Sequence, residues 1–276
     1  MRVRVPFSKM SGAGNDFIVL DARAWEALSG DRAAWVRAVC RRVMSVGADG
    51  VLVVSASGPG RVRVVFFNPD GGEAFCGNGS RCAARYAATR GGAPAAAMTL
   101  LTSVGEVEAV VDGAVVRLTL PPPKDLGEIV LEDDAATFRG RWVVAGVPHV
   151  VLPVVRLAAY PIERVGPSLR RHGTLGPSGA NVNLVETDAS GRVHVRTWER
   201  GVENETLSCG TGAVAVALAA RLAGAPETVV VVPRSGSNLT VVLPGDPTCP
   251  EYARLIGDAR FVFEGALDPE ATVGTG

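Results

Sequence analysis

Cys76-Gly77-Asn78-Gly79 and Cys209-Gly210-Thr211-Gly212 are two copies of one pattern, a cysteine followed by Gly-X-Gly and an alanine-rich stretch, set close to half the chain apart. Each copy places a thiol at the start of a predicted helix, where unsatisfied N–H groups and the partial positive charge of the helix terminus stabilise an anion. A cysteine in that position has its pKa lowered from about 8.5, to roughly 3.5–7.5 in the most activating sites. The flanking glycines admit close backbone approach, so the same N–H groups can hold a carboxylate. Two such thiols facing one carbon could exchange its proton, one as base and the other as acid on opposite faces. Donors aimed at a neighbouring carboxylate help most as charge builds on it. This is racemase or epimerase chemistry.

Free cysteines are usually small buried hydrophobes. Cys40, near Val36 and Val43, and Cys82 fit that reading, and Cys249 lies in a proline-flanked turn. The matched glycine contexts of Cys76 and Cys209 do not follow from packing. A zinc site calls for further ligands at close spacing, and His149, His172 and His194 do not cluster with these cysteines. A dithiol oxidoreductase more often carries Cys-X-X-Cys, and a cysteine hydrolase needs one nucleophile with a histidine base, leaving the second loop unexplained. Gly12-Ala13-Gly14 is weak evidence for nucleotide binding.

The elements that would position these thiols read as α+β, with long runs of strands and few helices. Strands are expected at Arg2 to Val5 and Phe17 to Leu20, joined by a loop from Lys9 to Asp16. A helix capped by Asp31 should run to about Met44, with Trp35, Ala38, Val39 and Val43 on one buried face. Strands at Val51 to Ser55 and Arg61 to Phe67 precede the first cysteine loop. After Pro121-Pro122-Pro123, which suits an extended linker, the order recurs: strands at Val150 to Val155, Asn181 to Val185 and Val193 to Thr197, then the second cysteine loop. The expected domains are 1–121 with 258–276, carrying Cys76, and 122–257, carrying Cys209. The 276 residues include 28 basic and 28 acidic ones, so no general electrostatic case exists for nucleic acid or a membrane surface. No apolar run approaches the roughly 18 residues of a membrane span. With five cysteines and an N-terminus that reads as a strand rather than a signal peptide, a cytoplasmic protein with reduced thiols is expected.

Motifs along nearly the whole chain resemble the cofactor-independent diaminopimelate epimerases of lysine and cell-wall precursor synthesis. They are Lys9 to Phe17, Gly47-Ala48-Asp49-Gly50, Asn68-Pro69-Asp70-Gly71, Cys76 to Cys82, Pro148-His149, Asn181-Val182-Asn183, and Glu199-Arg200-Gly201 followed by Glu205-Thr206 and Cys209 to Gly212. The resemblance implies two similar domains related by internal duplication, each a β-barrel-like sheet around a central helix, with the active site in the cleft between them and usually a homodimer. It implies Cys76 and Cys209 as the acid/base pair, with no cofactor and no metal. Gly77, Asn78, Gly210 and Thr211 would hold the reacting carboxylate. Asn15, Asn68, Asn181, Glu199 and Arg200 would recognise the amino and carboxylate groups, including those of the non-reacting end.

These residue types suit those roles. Arg200 offers a bidentate fork, Glu199 an ammonium acceptor, and the asparagines both donors and acceptors. His149 is expected to give structural support and to influence a thiol. Val147 stands where the family often has asparagine. A proline- or hydroxyproline-type racemase is the nearest alternative, though a cyclic imino acid has no second charged end to engage Glu199 and Arg200. A non-catalytic diamino acid-binding protein and a thiol redox protein are the others.

Overall fold

The computed structural model describes residues 4–90, 96–133 and 136–272. The chain packs as two units, one running up to Leu118 and resuming at Asp258, the other spanning Thr119–Gly257.

The first unit opens with β1 (Val5–Gly12) and β2 (Asn15–Asp21), followed by α1 (Ala22–Glu26), α2 (Arg32–Cys40), β3 (Gly50–Ala56), β4 (Arg61–Phe67), the short β5 (Glu73–Ala74) and α3 (Gly77–Thr89). Then come β6 (Ala97–Thr102), β7 (Gly105–Asp112) and β8 (Val115–Leu120). In the second unit, β9 (Lys124–Asp133), β10 (Ala136–Ala145) and β11 (Val147–Pro153) lead to α4 (Ile162–Arg170), β12 (Asn181–Thr187), β13 (Val193–Glu199), β14 (Asn204–Thr206) and α5 (Gly210–Leu222). It closes with β15 (Thr228–Pro233), β16 (Leu239–Val242), a small β17 (Gly245–Asp246) and β18 (Cys249–Pro250) hairpin, and β19 (Ala253–Asp258). Finally β20 (Arg260–Leu267) pairs antiparallel with β1.

The two units repeat one succession of ladders. In the first, β1–β2 is antiparallel, β2–β3 parallel, β3–β4 and β4–β5 antiparallel, β4–β6 parallel and β6–β7 antiparallel. In the second, β10–β11, β11–β12, β12–β13, β13–β14, β13–β15 and β15–β16 follow with the same directions in the same order. In each unit the strands curl about one helix: α3 packs against β1, β2, β3, β4, β6 and β7, and α5 against β10, β11, β12, β13, β15 and β16. Alanines make this possible. Ala83, Ala84 and Ala87 in α3, and Ala213, Ala215 and Ala217 in α5, are buried and give the helices a small radius without loss of helix propensity.

The fold is thus mixed α and β, largely sheet with few helices, and the expected barrel is corrected in one respect. The strands other than β17 and β18 belong to one 18-stranded sheet that does not close into a barrel: among the described residues no ladder joins β20 to β7 or β9 to β19. The helices are sealed by side-chain packing on the curved, open sheet.

Local expectations are corrected too. The expected strand at Arg2 to Val5 begins in residues outside those described; from Val5 the strand continues to Gly12, so Lys9 to Asp16 is mostly ladder rather than loop. Ala13 and Gly14, both at positive φ (53° and 104°), alone make the turn, as a two-residue hairpin of this twist requires. Helix α2 stops at Cys40; Val43 has φ 71° and is fully exposed, so it belongs to no buried face. Among the described residues no helix is long and apolar enough to cross a membrane.

Candidate active site

Cys76 is the N-cap of α3 and Cys209 the N-cap of α5, each in extended backbone (φ −138° and −127°). In both, the sulfur accepts the backbone N–H three residues on, from Gly79 and Gly212, at 3.3 Å. Thiols thus take the place that Ser, Thr or Asp oxygens fill at ordinary helix starts. The second glycine of each motif stands where a side chain would crowd its neighbours, more severely at Gly212 than at Gly79. A Cβ on Gly79 would lie 3.2 Å from Leu52 Cδ2 and 3.4 Å from Cys76 Cβ. One on Gly212 would lie 2.7 Å from Asn183 Oδ1 and 3.1 Å from Cys209 Cβ.

Around Cys76, Asn78 is buried, and its side-chain amide donates to Oδ1 of Asn15 at 2.6 Å. Asn15 donates in turn to Asp49 Oδ2 at 3.0 Å, and Arg42 donates to Asp49 Oδ1 at 2.8 Å. Arg42 also grips Asp16 (2.6 Å), which Lys9 meets from its other side at 2.7 Å. Burial opposes the Asp16 carboxylate, but the bonds from Arg42 and Lys9 prevail and hold its pKa below the ordinary value. The Asn78 carbonyl accepts from Arg81 Nη2 at 2.9 Å, which fixes the orientation of that amide. Asn68 closes the β4–β5 turn with its backbone: its N–H donates to Gly72 O and its carbonyl accepts from Gly71, both at 2.9 Å.

The surroundings of Cys209 are different. Its sulfur lies 3.5 Å from Thr211 Oγ1, and Thr211 Oγ1 lies 3.1 Å from Nε2 of His149. Asn183 donates from its amide to both His149 Nδ1 (3.2 Å) and the Val150 carbonyl (3.1 Å), while its own carbonyl accepts from Thr197 (3.0 Å). With Nδ1 an acceptor, the ring proton sits on Nε2 and is donated to Thr211. His149 is wholly buried, and desolvation, reinforced by the positive charge of Arg200, pushes its pKa down to about 3. It is therefore a neutral hydrogen-bonding residue at ordinary pH.

Glu199 ends β13, and Arg200 opens the turn to β14. The buried Asn181 accepts the Arg200 N–H at 2.7 Å, so this asparagine sets the course of the chain that carries the guanidinium. Further along, the buried carboxylate of Glu205 is gripped by Arg196 (2.6 Å) and Arg234 (2.5 Å), which anchors β14 just before the Cys209 loop.

Within the first unit the structure therefore joins Asn15 and Asn78 beside Cys76, and within the second it joins Thr211 and His149 beside Cys209 and Asn181 beside Arg200. Residues given no role from sequence also lie in these networks, among them Asp49 behind Asn15, Arg81 behind Asn78, and Asn183 behind His149. All three stand inside motifs that carry the resemblance, Asp49 in Gly47 to Gly50, Arg81 in Cys76 to Cys82 and Asn183 in Asn181 to Asn183, but none has an assigned role there. Among the described residues, no group of three or more His, Cys, Asp or Glu side chains is set to hold a metal ion. A cavity of 670 Å³ in the second unit opens along the C-terminal half of α5, between Val216 and Ala223, at the opposite end of the helix from Cys209.

A profile of the diaminopimelate epimerase family matches residues 7–117 and 141–260. The chain belongs to the diaminopimelate epimerase family. It is 38% identical to the diaminopimelate epimerase of Hydrogenobaculum sp. strain Y04AAS1, over 95% of this chain and 98% of that one. It is also 38% identical to that of Aquifex aeolicus strain VF5, over 96% and 98%. Among solved structures, a hydroxyproline epimerase from Agrobacterium vitis aligns with TM-score 0.71 at 18% identity, over 98% of this chain and 94% of that one. A phenazine biosynthesis PhzF family protein from Enterococcus faecalis aligns with TM-score 0.69 at 13% identity, over 96% and 100%. Those two likenesses extend the fold beyond the diaminopimelate epimerase family. As a member of that family the chain is an isomerase.

Proposed function

We propose that this enzyme interconverts LL-2,6-diaminopimelate and meso-diaminopimelate by proton exchange between two thiols and the α-carbon, within lysine and peptidoglycan precursor synthesis. The observation that carries the reading is that two cysteines, one in each unit, cap equivalent helices with their sulfurs. One thiolate abstracts the α-proton and the other thiol delivers its own to the opposite face; the reverse reaction exchanges the roles. The two thiols supply both acid and base, so the step calls for neither pyridoxal phosphate nor metal.

In this reading the helix-start donors around Gly77, Asn78, Gly210 and Thr211 hold the reacting carboxylate, where negative charge grows as the proton leaves. Asn15, Asn68, Asn181, Glu199 and Arg200 recognise the remaining amino and carboxylate groups, with Arg200 on a carboxylate and Glu199 on an ammonium. His149 supports Thr211. The repeated ladder order supports descent of the two units from one duplicated domain. A cytoplasmic homodimer, as the family resemblance implies, completes the proposal.

The test is solvent-deuterium incorporation at the α-carbon of LL-diaminopimelate, with chiral separation of the product, under reducing conditions with chelator present. Exchange with formation of the meso isomer is expected, and Cys76→Ala and Cys209→Ala should each abolish epimerisation with the fold retained. Folded protein with free thiols that gives neither exchange nor isomer refutes the substrate assignment. Proline and hydroxyproline in the same assay separate the alternative racemase, and binding without exchange separates a catalytically silent binder.

A further inference from the structure

Counted from their cysteine caps, α3 and α5 are equally long, 13 residues each, yet their far ends differ. Ten and fourteen residues beyond Cys76 stand Tyr86 and Arg90; the same steps beyond Cys209 give Ala219 and Ala223. In the first unit the large side chains fill the end of the curled sheet. Tyr86 and its neighbour Ala87 are buried. The Arg90 guanidinium lies 3.9 Å from the centre of the Phe261 ring and forms an ion pair with Glu264, both residues of β20. In the second unit Ala219 and Ala220 are only half-buried, and with Ala223 they line the 670 Å³ cavity.

The strands repeat the correspondence. The β1–β2 and β10–β11 ladders each hold five pairs, and matching them pair for pair makes Ser8 the counterpart of Arg141. Ser8 stands opposite Glu264 on β20, and Arg141 stands opposite Glu128 on β9. Glu128 is therefore the counterpart of Glu264, and it lines the cavity. Glu264 accepts from the Ser8 hydroxyl at 3.2 Å as well as from Arg90. Glu128 has neither partner. Arg141 is held by both oxygens of Asp125, at 3.1 and 2.6 Å, and the helix offers Ala223 where α3 is followed by an arginine. Among the described residues no hydrogen bond or ion pair engages the Glu128 carboxylate, and it reaches Arg141 through space alone. Glu186, a second acid on the lining, already accepts the Arg156 and Leu157 N–H groups at 3.0 and 3.1 Å. The walls between these charges are apolar, formed by Val151, Val185, Val193 and Val216.

We propose that this cavity binds a small organic cation with an apolar or aromatic body, its ammonium or guanidinium group paired with Glu128. The body takes the space that the Tyr86 and Arg90 side chains fill in the first unit. The volume is that of a small-molecule site, and its lining combines an apolar wall with a charge that fixes orientation. Burial of the body against the valines and alanines supplies the affinity, and the carboxylate supplies the preference for a cation. The site lies at the end of α5 away from Cys209, so its failure leaves the proposed reaction standing.

The probe is 2-phenylethylamine, compared by calorimetric titration at low ionic strength with 2-phenylethanol and 3-phenylpropionate, its neutral and anionic counterparts. The amine should bind saturably with Kd below about 10 mM, the range open to a ligand of this size, and at least about tenfold more tightly than the other two. Glu128→Gln, a change at an exposed strand position, should remove that preference. The double variant Ala219→Tyr, Ala223→Arg gives α5 the side chains of α3 and should abolish binding by filling the cavity. Absence of saturable amine binding overturns the proposal, as does equal affinity for all three probes. Tighter binding of 3-phenylpropionate overturns it in favour of an anion site at Arg139, the exposed cation on the lining. Amine binding that survives Glu128→Gln unchanged places the amine elsewhere and overturns the proposal even where the double variant does not fold.

Discussion

Asn78 and Asn15 are bonded side chain to side chain at 2.6 Å, so a residue of the Cys76 loop is held by the first residue of β2. The bond continues through Asp49 to Arg42 and ties the α3 start to the segment after α2. Asp49→Ala cuts this line one residue away from any proposed substrate contact. The expected result is a fall in kcat/KM of about tenfold, or about 1.4 kcal/mol, with the circular dichroism spectrum unchanged. Combined with Asn78→Ala the losses should not add, because both changes release the same Asn15 side chain.

Thr211→Val removes the hydroxyl between His149 and Cys209 while keeping its volume. The His149 Nε2 proton then has no acceptor in a buried site, which costs about 1–3 kcal/mol. Thermal unfolding should shift down accordingly, and epimerase turnover should fall by about tenfold or more. Turnover at the wild-type level would show that this hydroxyl contributes nothing to the thiol.

His149 also sets a direction for stability against pH. Its folded pKa, about 3, lies below the unfolded value near 6.5, so between these limits the unfolded chain binds a proton that the folded chain refuses. The stability from neutral His149 is present above the unfolded pKa and is lost as pH falls toward 3. Chemical denaturation between about pH 7 and pH 4.5 should show a loss of up to about 1.4 kcal/mol per pH unit from this residue. His149→Gln should flatten the slope by that amount.

Gly212→Ala places a methyl group 2.7 Å from Asn183 Oδ1 and 3.1 Å from the Cys209 Cβ. The carbonyl is fixed by Thr197 and the cap by its own helix, so α5 must shift at its first turn. Activity should fall at least about tenfold, the cost of a small misplacement of a reacting group. Gly113→Ala serves as the control: it also alters a glycine, but with open space around it, and should leave turnover unchanged apart from strain at its positive φ of 59°.

The thiols were legible because their local signals coincide: a cysteine, then glycines, then a helix-forming alanine run. What the sequence concealed is what depends on partners distant along the chain. The sequence assigns Arg81 no role, and only the sheet curled around α3 makes it the largest fully buried side chain among the described residues. Lys9 to Asp16 has the composition of a loop, yet Ala13 and Gly14 alone turn the chain while the flanking residues pair from Ser11 to Asp16 and Gly12 to Asn15. Val43 has helical spacing for burial but follows the break at Cys40. The β9–β10 hairpin was hidden behind three prolines and its alternation of exposed and buried positions, and it supplies Ile129, Leu131 and Phe138 to the core beneath α4.

Using sulfur as the helix cap binds reactivity to architecture. An electrophile that modifies Cys76 or Cys209 converts the thiolate to a thioether, which is a poorer acceptor for the Gly79 or Gly212 N–H and carries added bulk into a turn packed around glycine. Covalent poisoning of this enzyme would therefore fray the first turn of the modified helix. A melting curve could then register the inhibitor before any turnover is measured.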